Sequence, residues 1–250
     1  MDDWQTVNRK KGSKRRGKNI AIDEVVLDIN SQEWTALIIP SARQEMKKLA
    51  EEVSPLIGDF DQMIFLGVGR LSTRNAQYQV AMAMEILSET TLVSTSCFHS
   101  SAIQVYEPLL DDNEKELLRN LKFEILPDND SGMGHQIDQV SKVLFFMPHC
   151  NVSLYNNILC TNWTRNQLGR IVFLGNSFAN YIDRLPESKG KCIRAILPYI
   201  TQIPFPPLER NSCCEKAFSD TTIQYFTDES LEKGEINGIF QLGVESEEIS

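Results

Sequence analysis

Residues 143–181 read VLFFMPHCNVSLYNNILCTNWTRNQLGRIVFLGNSFANY. Two short apolar runs, Val143–Met147 and Ile171–Leu174, each stop abruptly at a cluster of polar side chains. Uninterrupted apolar runs of this length suit strands buried on both faces, as in a parallel sheet covered by helices. Ligands of such sheets sit beyond the carboxyl ends of the strands. His149, Cys150, Asn151, Tyr155, Asn156, Asn157, Asn162 and Trp163 follow the first run, and Asn176, Ser177, Asn180 and Tyr181 follow the second. The stretch marks where a site belongs more clearly than what the site does.

Working outward, the same alternation continues. Met46, Leu49, Ala50 and Val53 have helical spacing, with Pro55 and Gly58 expected to end that helix. Gln62–Leu66 reads as a buried strand, then Gly67-Val68-Gly69, then a helix through Ala76, Val80, Met84 and Leu87. Ala102–Tyr106 and Phe123–Leu126 read as further strands, with Asp111 or Asp112 capping a helix between them. A helix around Leu154–Trp163 joins the two runs of the opening stretch. Ile196–Ile203 is read as a helix or a strand, and Thr222–Phe226 as an edge strand. The expectation is α/β: a Rossmann-like three-layer sandwich with a mostly parallel sheet. Residues 1–19 are expected to be a disordered basic arm, 20–226 the α/β domain, and 227–250 an acidic, loosely ordered tail.

Met147-Pro148-His149-Cys150, Leu154-Tyr155-Asn156-Asn157, Asn162-Trp163 and Gly175-Asn176-Ser177-Phe178 together resemble the SRR-like family, named after a plant protein, Sensitivity to Red Light Reduced. Leu66-Gly67-Val68-Gly69 upstream and Ile223-Gln224-Tyr225-Phe226 downstream fit the same pattern, so the resemblance runs from about Gln62 to Phe226. It implies a regulatory protein connected with circadian timing and with control of haem biosynthesis. No catalysed reaction follows from it.

The 250-residue chain is 42% hydrophobic and 24% charged, ordinary values for a globular domain. No run approaches the roughly 18 apolar residues of a membrane span, and the polar N-terminus lacks a signal core. Six cysteines without a regular framework fit a reducing compartment, and Cys160 and Cys192 read as small buried hydrophobes. The net charge of −9 is uneven: residues 1–18 carry +5, leaving −14 for the rest. Extended nucleic-acid binding by so acidic a body is not expected. The arm is suited to an import receptor, which gives a cytoplasmic protein with access to the nucleus.

Gly67 and Gly69 are the strongest ligand cue, since a glycine after a strand permits a tight turn and a second permits close approach. Position 72 is serine where the dinucleotide fingerprint has its third glycine, and Glu107, the acidic residue ending the second strand, lies 40 residues beyond Gly67. Glycine followed by an acidic residue at successive strand ends also resembles S-adenosylmethionine-dependent methyltransferases, an alternative alongside a non-catalytic scaffold. The paired spacing of a zinc site is absent, and Gly175-Asn176-Ser177 is no nucleophile elbow. The candidate binding set is therefore Gly67, Gly69, Glu107, His149, Tyr155, Asn156, Asn157, Asn162, Asn176 and Ser177. It expects a small-molecule ligand or a protein partner, with no metal, no membrane and no identified cofactor.

Overall fold

A computed structural model describes residues 39–89, 103–128, 130–208 and 214–243. The expected basic arm, the stretch 90–102 and the last seven residues lie outside the described residues. Helix α1 (Ile39–Ile57) is followed by β1 (Gln62–Leu66) and α2 (Arg74–Glu89). Next come β2 (Ile103–Tyr106), α3 (Asp112–Asn120), β3 (Phe123–Ile125) and β4 (Val143–Met147). The chain continues through α4 (Val152–Thr161), α5 (Arg165–Leu168), β5 (Ile171–Asn176), α6 (Phe178–Ile182) and α7 (Lys191–Ile196). It ends with β6 (Ile200–Pro204), β7 (Thr221–Phe226) and α8 (Asp228–Ile236).

The seven strands form one sheet in the order β3-β2-β1-β4-β5-β7-β6. The pairs from β3 to β5 are parallel, and β7 runs antiparallel to both neighbours. Alternation along the strands builds two cores. Met63, Phe65, Leu144, Phe146, Val172 and Leu174 pack towards α1, α2 and α3. Ile64, Leu66, Val143, Phe145, Met147, Ile171 and Phe173 pack towards α4, α7 and α8. Because both faces are covered, β4 is buried at every position, which accounts for its unbroken apolar sequence. The fold is the expected α/β three-layer sandwich.

Several expectations change in detail. Pro55 lies inside the last turn of α1, and Gly58 ends the helix with φ +70° while its N–H donates to Ser54 O at 2.9 Å. A proline so close to the C-terminus costs one hydrogen bond, and the chain resumes bonding three residues later. On α2 nearly the whole circumference is buried, Gln77, Gln79 and Glu85 included, because α1 covers the side turned away from the sheet. β7 is an interior strand; the edge is β6, half-exposed and ending in Pro204. The segment after Phe226, expected to be loose, forms α8 with a capping box between Thr227 and Ser230. Leu231 and Ile239 anchor it to the second core, and Trp163 Nε1 donates to Ile239 O at 3.1 Å.

His135, in the connection before β4, is buried edge-on against Phe145, and its Nε2 has no hydrogen-bond partner among the described residues. Burial lowers its pKa from the usual 6.5. The unfolded chain therefore takes up this proton first as pH falls. The stability carried by the neutral ring is complete above about 6.5 and is lost as pH drops from there through the lowered value. Urea midpoints at pH 7.5 and 5.5 are expected to fall further apart in the parent than in His135→Leu. Equal pH dependence in the two proteins would rule out this origin.

Candidate ligand crevice at the carboxyl edge of the sheet

Connections from β1 lead outward through β2 to β3, whereas β4 leads the other way to β5, so the strand order reverses between β1 and β4. Crevices form at such switch points, beyond the carboxyl ends of the strands. The loops that meet at this switch point are the one after β1, with Gly67 and Gly69, and the one after β4, with His149 and Cys150. The two glycines have different roles although both have φ +73°. A Cβ on Gly67 would meet Cys150 Sγ at 2.5 Å, so this position is glycine because the two loops touch. Cys150 Sγ in turn donates to Leu66 O at 3.3 Å. At Gly69 a Cβ would meet nothing within 4 Å among the described residues.

Glu107 fastens the first loop from below. Its Oε2 accepts from Gly69 N at 2.8 Å and its Oε1 from Leu109 N at 2.9 Å. Glu114 does the same one step further on, accepting from Leu71 N at 2.8 Å and from Asp111 N at 3.0 Å. Arg70 completes the frame by donating to Leu109 O and bonding Asp111 Oδ2 at 2.8 Å. Sequence reading missed Glu114 and Arg70. The Asp111-x-x-Glu114 spacing is a capping-box signature and was the available signal for the first of them.

On the β4 side, Asn176 Oδ1 accepts from His149 N at 2.5 Å and so ties the β4 loop to the end of β5. His149 has φ +63°, and its Nε2–H faces Lys216 O at 3.0 Å and Ala217 O at 3.1 Å. Tyr155 is fully buried; its hydroxyl donates to Met147 O and accepts from Asn176 N at 3.0 Å. Ser177 caps α6 and donates to Gln202 Oε1 at 3.2 Å. Gln224, on β7, reads both sides of that turn, accepting from Phe178 N at 2.9 Å and donating to Asn176 O at 3.0 Å. Gln224 lies in the Ile223-Gln224-Tyr225-Phe226 stretch that fits the family pattern, but it was not among the candidate site residues.

The other three asparagines, two on α4 and one at its C-cap, are wholly buried. Asn156 Oδ1 accepts from Cys192 N at 2.9 Å, and Asn157 Nδ2 donates to Ser131 O at 2.9 Å. Asn162 accepts from Ile137 N and donates to His135 O and Ile158 O, all at 2.9 Å. Their amides satisfy backbone groups of neighbouring loops, as buried polar groups must. Cys160 and Cys192, read as separate buried hydrophobes, are joined as a disulfide between α4 and α7 with Cα atoms 6.2 Å apart. Burial, then the nearby Glu107 carboxylate, pushes the Cys150 thiol far up, and burial does the same to the Tyr155 and Tyr181 phenols. All three groups are protonated at neutral pH and are poor nucleophiles or bases. Among the described residues no group of three or more His, Cys, Asp or Glu is placed to hold a metal ion, and no helix is long and apolar enough to cross a membrane. A hollow at the opposite end of the sheet is lined by Arg165, Asn166, Gly169, Arg170 and Asp228. Both of its guanidinium groups are engaged, with Glu235 and with Val140 O.

A family model of the SRR1 domain matches residues 46–225, a span that holds β1 to β6, all but the last residue of β7, and every crevice residue named above. The chain belongs to the SRR1-domain family. Its relatives include an SRR1-like protein of Mus musculus, 30% identical over 166 residues, which are 66% of this chain and 59% of that protein. The Arabidopsis thaliana protein SENSITIVITY TO RED LIGHT REDUCED 1 is 30% identical over 125 residues, 50% of this chain and 42% of that one. An SRR1-like protein of Drosophila melanogaster is 26% identical over 187 residues, 74% and 62% of the two chains. The match therefore spans about half the length of these curated relatives. Among solved structures, cofactor-bound Rv0187 from MTB overlaps 82% of this chain and 92% of its own, with 11% identity and a TM-score of 0.41.

Proposed function

We propose that this SRR1-domain chain is a regulatory protein that acts in circadian timing and in control of haem biosynthesis by binding a small ligand in the switch-point crevice. The observation that carries the ligand site is the pairing of Gly69, with no described residue against its Cβ side, with a Glu107 carboxylate that accepts from Gly69 N and Leu109 N. The regulatory role is supported by the Arabidopsis relative, whose name records sensitivity to red light. Access to both cytoplasm and nucleus belongs to the same reading, with the basic residues 1–18 engaging an import receptor.

Blocking the crevice in the full chain tests this. Gly69→Trp is expected to abolish the rhythmic or haem-responsive output that the protein sustains in cells. Gly69→Asn, which tolerates a left-handed backbone and adds little bulk, is the control for backbone strain and is expected to retain it. Full output from a folded Gly69→Trp protein would exclude the crevice and favour action through other surfaces.

A further inference from the structure

The sheet ends on β3 at one side and on β6 at the other, and β6 pairs along its whole length with β7 and with no other strand among the described residues. In an antiparallel pair, alternate residues turn their N–H and C=O together towards the neighbour, and the residues between turn theirs away. Phe205 N donates to Thr221 O at 3.4 Å in the register of the β6–β7 pairs, so Thr201 and Ile203 face β7. On the other flank of β7, Ser177 N donates to Asp220 O at 3.1 Å, in the register of the β5–β7 pairs. That bond turns Thr222 and Gln224 towards β5, and leaves Ile223 and Tyr225 for Ile203 and Thr201. Both bonds give the same phase: the backbone groups of Ile200, Gln202 and Pro204 point out of the sheet. Neither Gln202 N nor Gln202 O has a hydrogen-bond partner among the described residues.

An edge with unpaired backbone groups is a template for one more strand, and sheets guard against this with charged side chains. In a chain of net charge −9, the strand Ile200-Thr201-Gln202-Ile203-Pro204 carries no charge at all. Its donors and acceptors are also self-complementary. A second copy laid antiparallel with full overlap sets Gln202 opposite Gln202 and Ile200 opposite Pro204. The two Gln202 residues then exchange N–H···O bonds, and Ile200 N of each copy meets Pro204 O of the other. Pro204 has no N–H to give, but in this register only its carbonyl is used. Ile203 lies across from Thr201, a β-branched pair, so half-buried side chains of the edge are covered as well. We propose that β6 is a homodimer interface, in which two copies pair their β6 strands antiparallel across a two-fold axis at Gln202 and join their sheets into one.

Analytical ultracentrifugation of the full chain over a concentration series tests this, with three variants that keep the β6–β7 hydrogen bonds and whose folding is checked by circular dichroism. The parent is expected to form a dimer. Gln202→Lys and Gln202→Glu each set two like charges side by side at the axis, and each is expected to weaken the dimer several-fold at low salt. An equimolar mixture of the two is expected to recover it, because lysine then faces glutamate. Gln202→Ala loses the side-chain bond with Ser177 but keeps the backbone groups, and is expected to stay dimeric. A parent that is monomeric at every concentration overturns the proposal and leaves the edge to a strand of another protein or to none. A dimer that neither charge weakens, or that the mixture fails to restore, places the contact on another surface and overturns it too. A folded but monomeric Gln202→Ala protein overturns the pairing through the backbone.

Discussion

Gly175→Ala is expected to lower the unfolding midpoint by roughly 6–12 °C, the shift that about 3 kcal/mol produces in a domain of this size. Gly175 lies on β5 opposite Met147 of β4 and Thr222 of β7. A Cβ there would run into the Tyr155 hydroxyl and would stand 2.9 Å from Met147 O and 3.1 Å from Tyr155 Cζ. Met147 O is backbone within the sheet and cannot give way. Tyr155 is fully buried among Phe173, Phe178 and Tyr181, so it moves only by breaking its bonds to Met147 O and Asn176 N. The methyl group therefore imposes overpacking and the loss of a buried hydrogen bond together. Tyr155→Phe shortens the obstructing side chain, so Gly175→Ala should cost distinctly less in that background. Differential scanning calorimetry of the four proteins measures both effects; a midpoint within 2 °C of the parent for Gly175→Ala would refute the packing argument.

Asn162→Ala is expected to cost about 3 kcal/mol or more by urea unfolding, a large loss for a polar-to-small change. Asn162 follows the last turn of α4, and its amide is the sole side-chain link there to both Ile137 N and His135 O among the hydrogen bonds described. Ile158 O keeps a backbone donor, Asn162 N at 3.2 Å, but the Ile137 N–H is left without an acceptor in a buried setting. Gln167 Nε2 already binds Ile137 O at 3.0 Å and does not replace the missing acceptor. Asn162→Asp retains an acceptor for Ile137 N yet turns a buried carboxylate oxygen towards two carbonyls, so it should be no better than alanine. A loss under 1 kcal/mol for Asn162→Ala would mean that the connection before β4 re-forms its hydrogen bonds without this residue.

The uneven legibility of the site follows from the range of the forces involved. Gly67 and Gly69 were visible because positive φ after a strand is a local requirement, but only the packing of Cys150 against Gly67 separates a contact glycine from one facing a crevice. Glu107 was readable as the acid ending β2. Its fixing by Gly69 N is a contact across 38 positions, beyond any local pattern. Asn156, Asn157 and Asn162 were read with Asn176 as one cluster because they are close in sequence. Helix α4 and its C-cap turn the first three into the interior to serve backbone 25 to 36 residues away, while Asn176 alone meets His149 at the crevice. The tail beyond Phe226 is acidic and weakly amphipathic, and it is helical because Leu231 and Ile239 reach a core built from other strands.

By itself the sequence determined the layers, the strands β1, β4 and β5, and the family. These rest on short-range periodicity and on motifs whose residues are neighbours along the chain. Tertiary structure alone decided that β7 enters the sheet antiparallel beside β5, that Cys160 meets Cys192, and which polar side chains face the crevice. Each of those depends on the partner that a buried donor or acceptor finds across tens of residues, and such pairing is set by the packed fold rather than by local spacing.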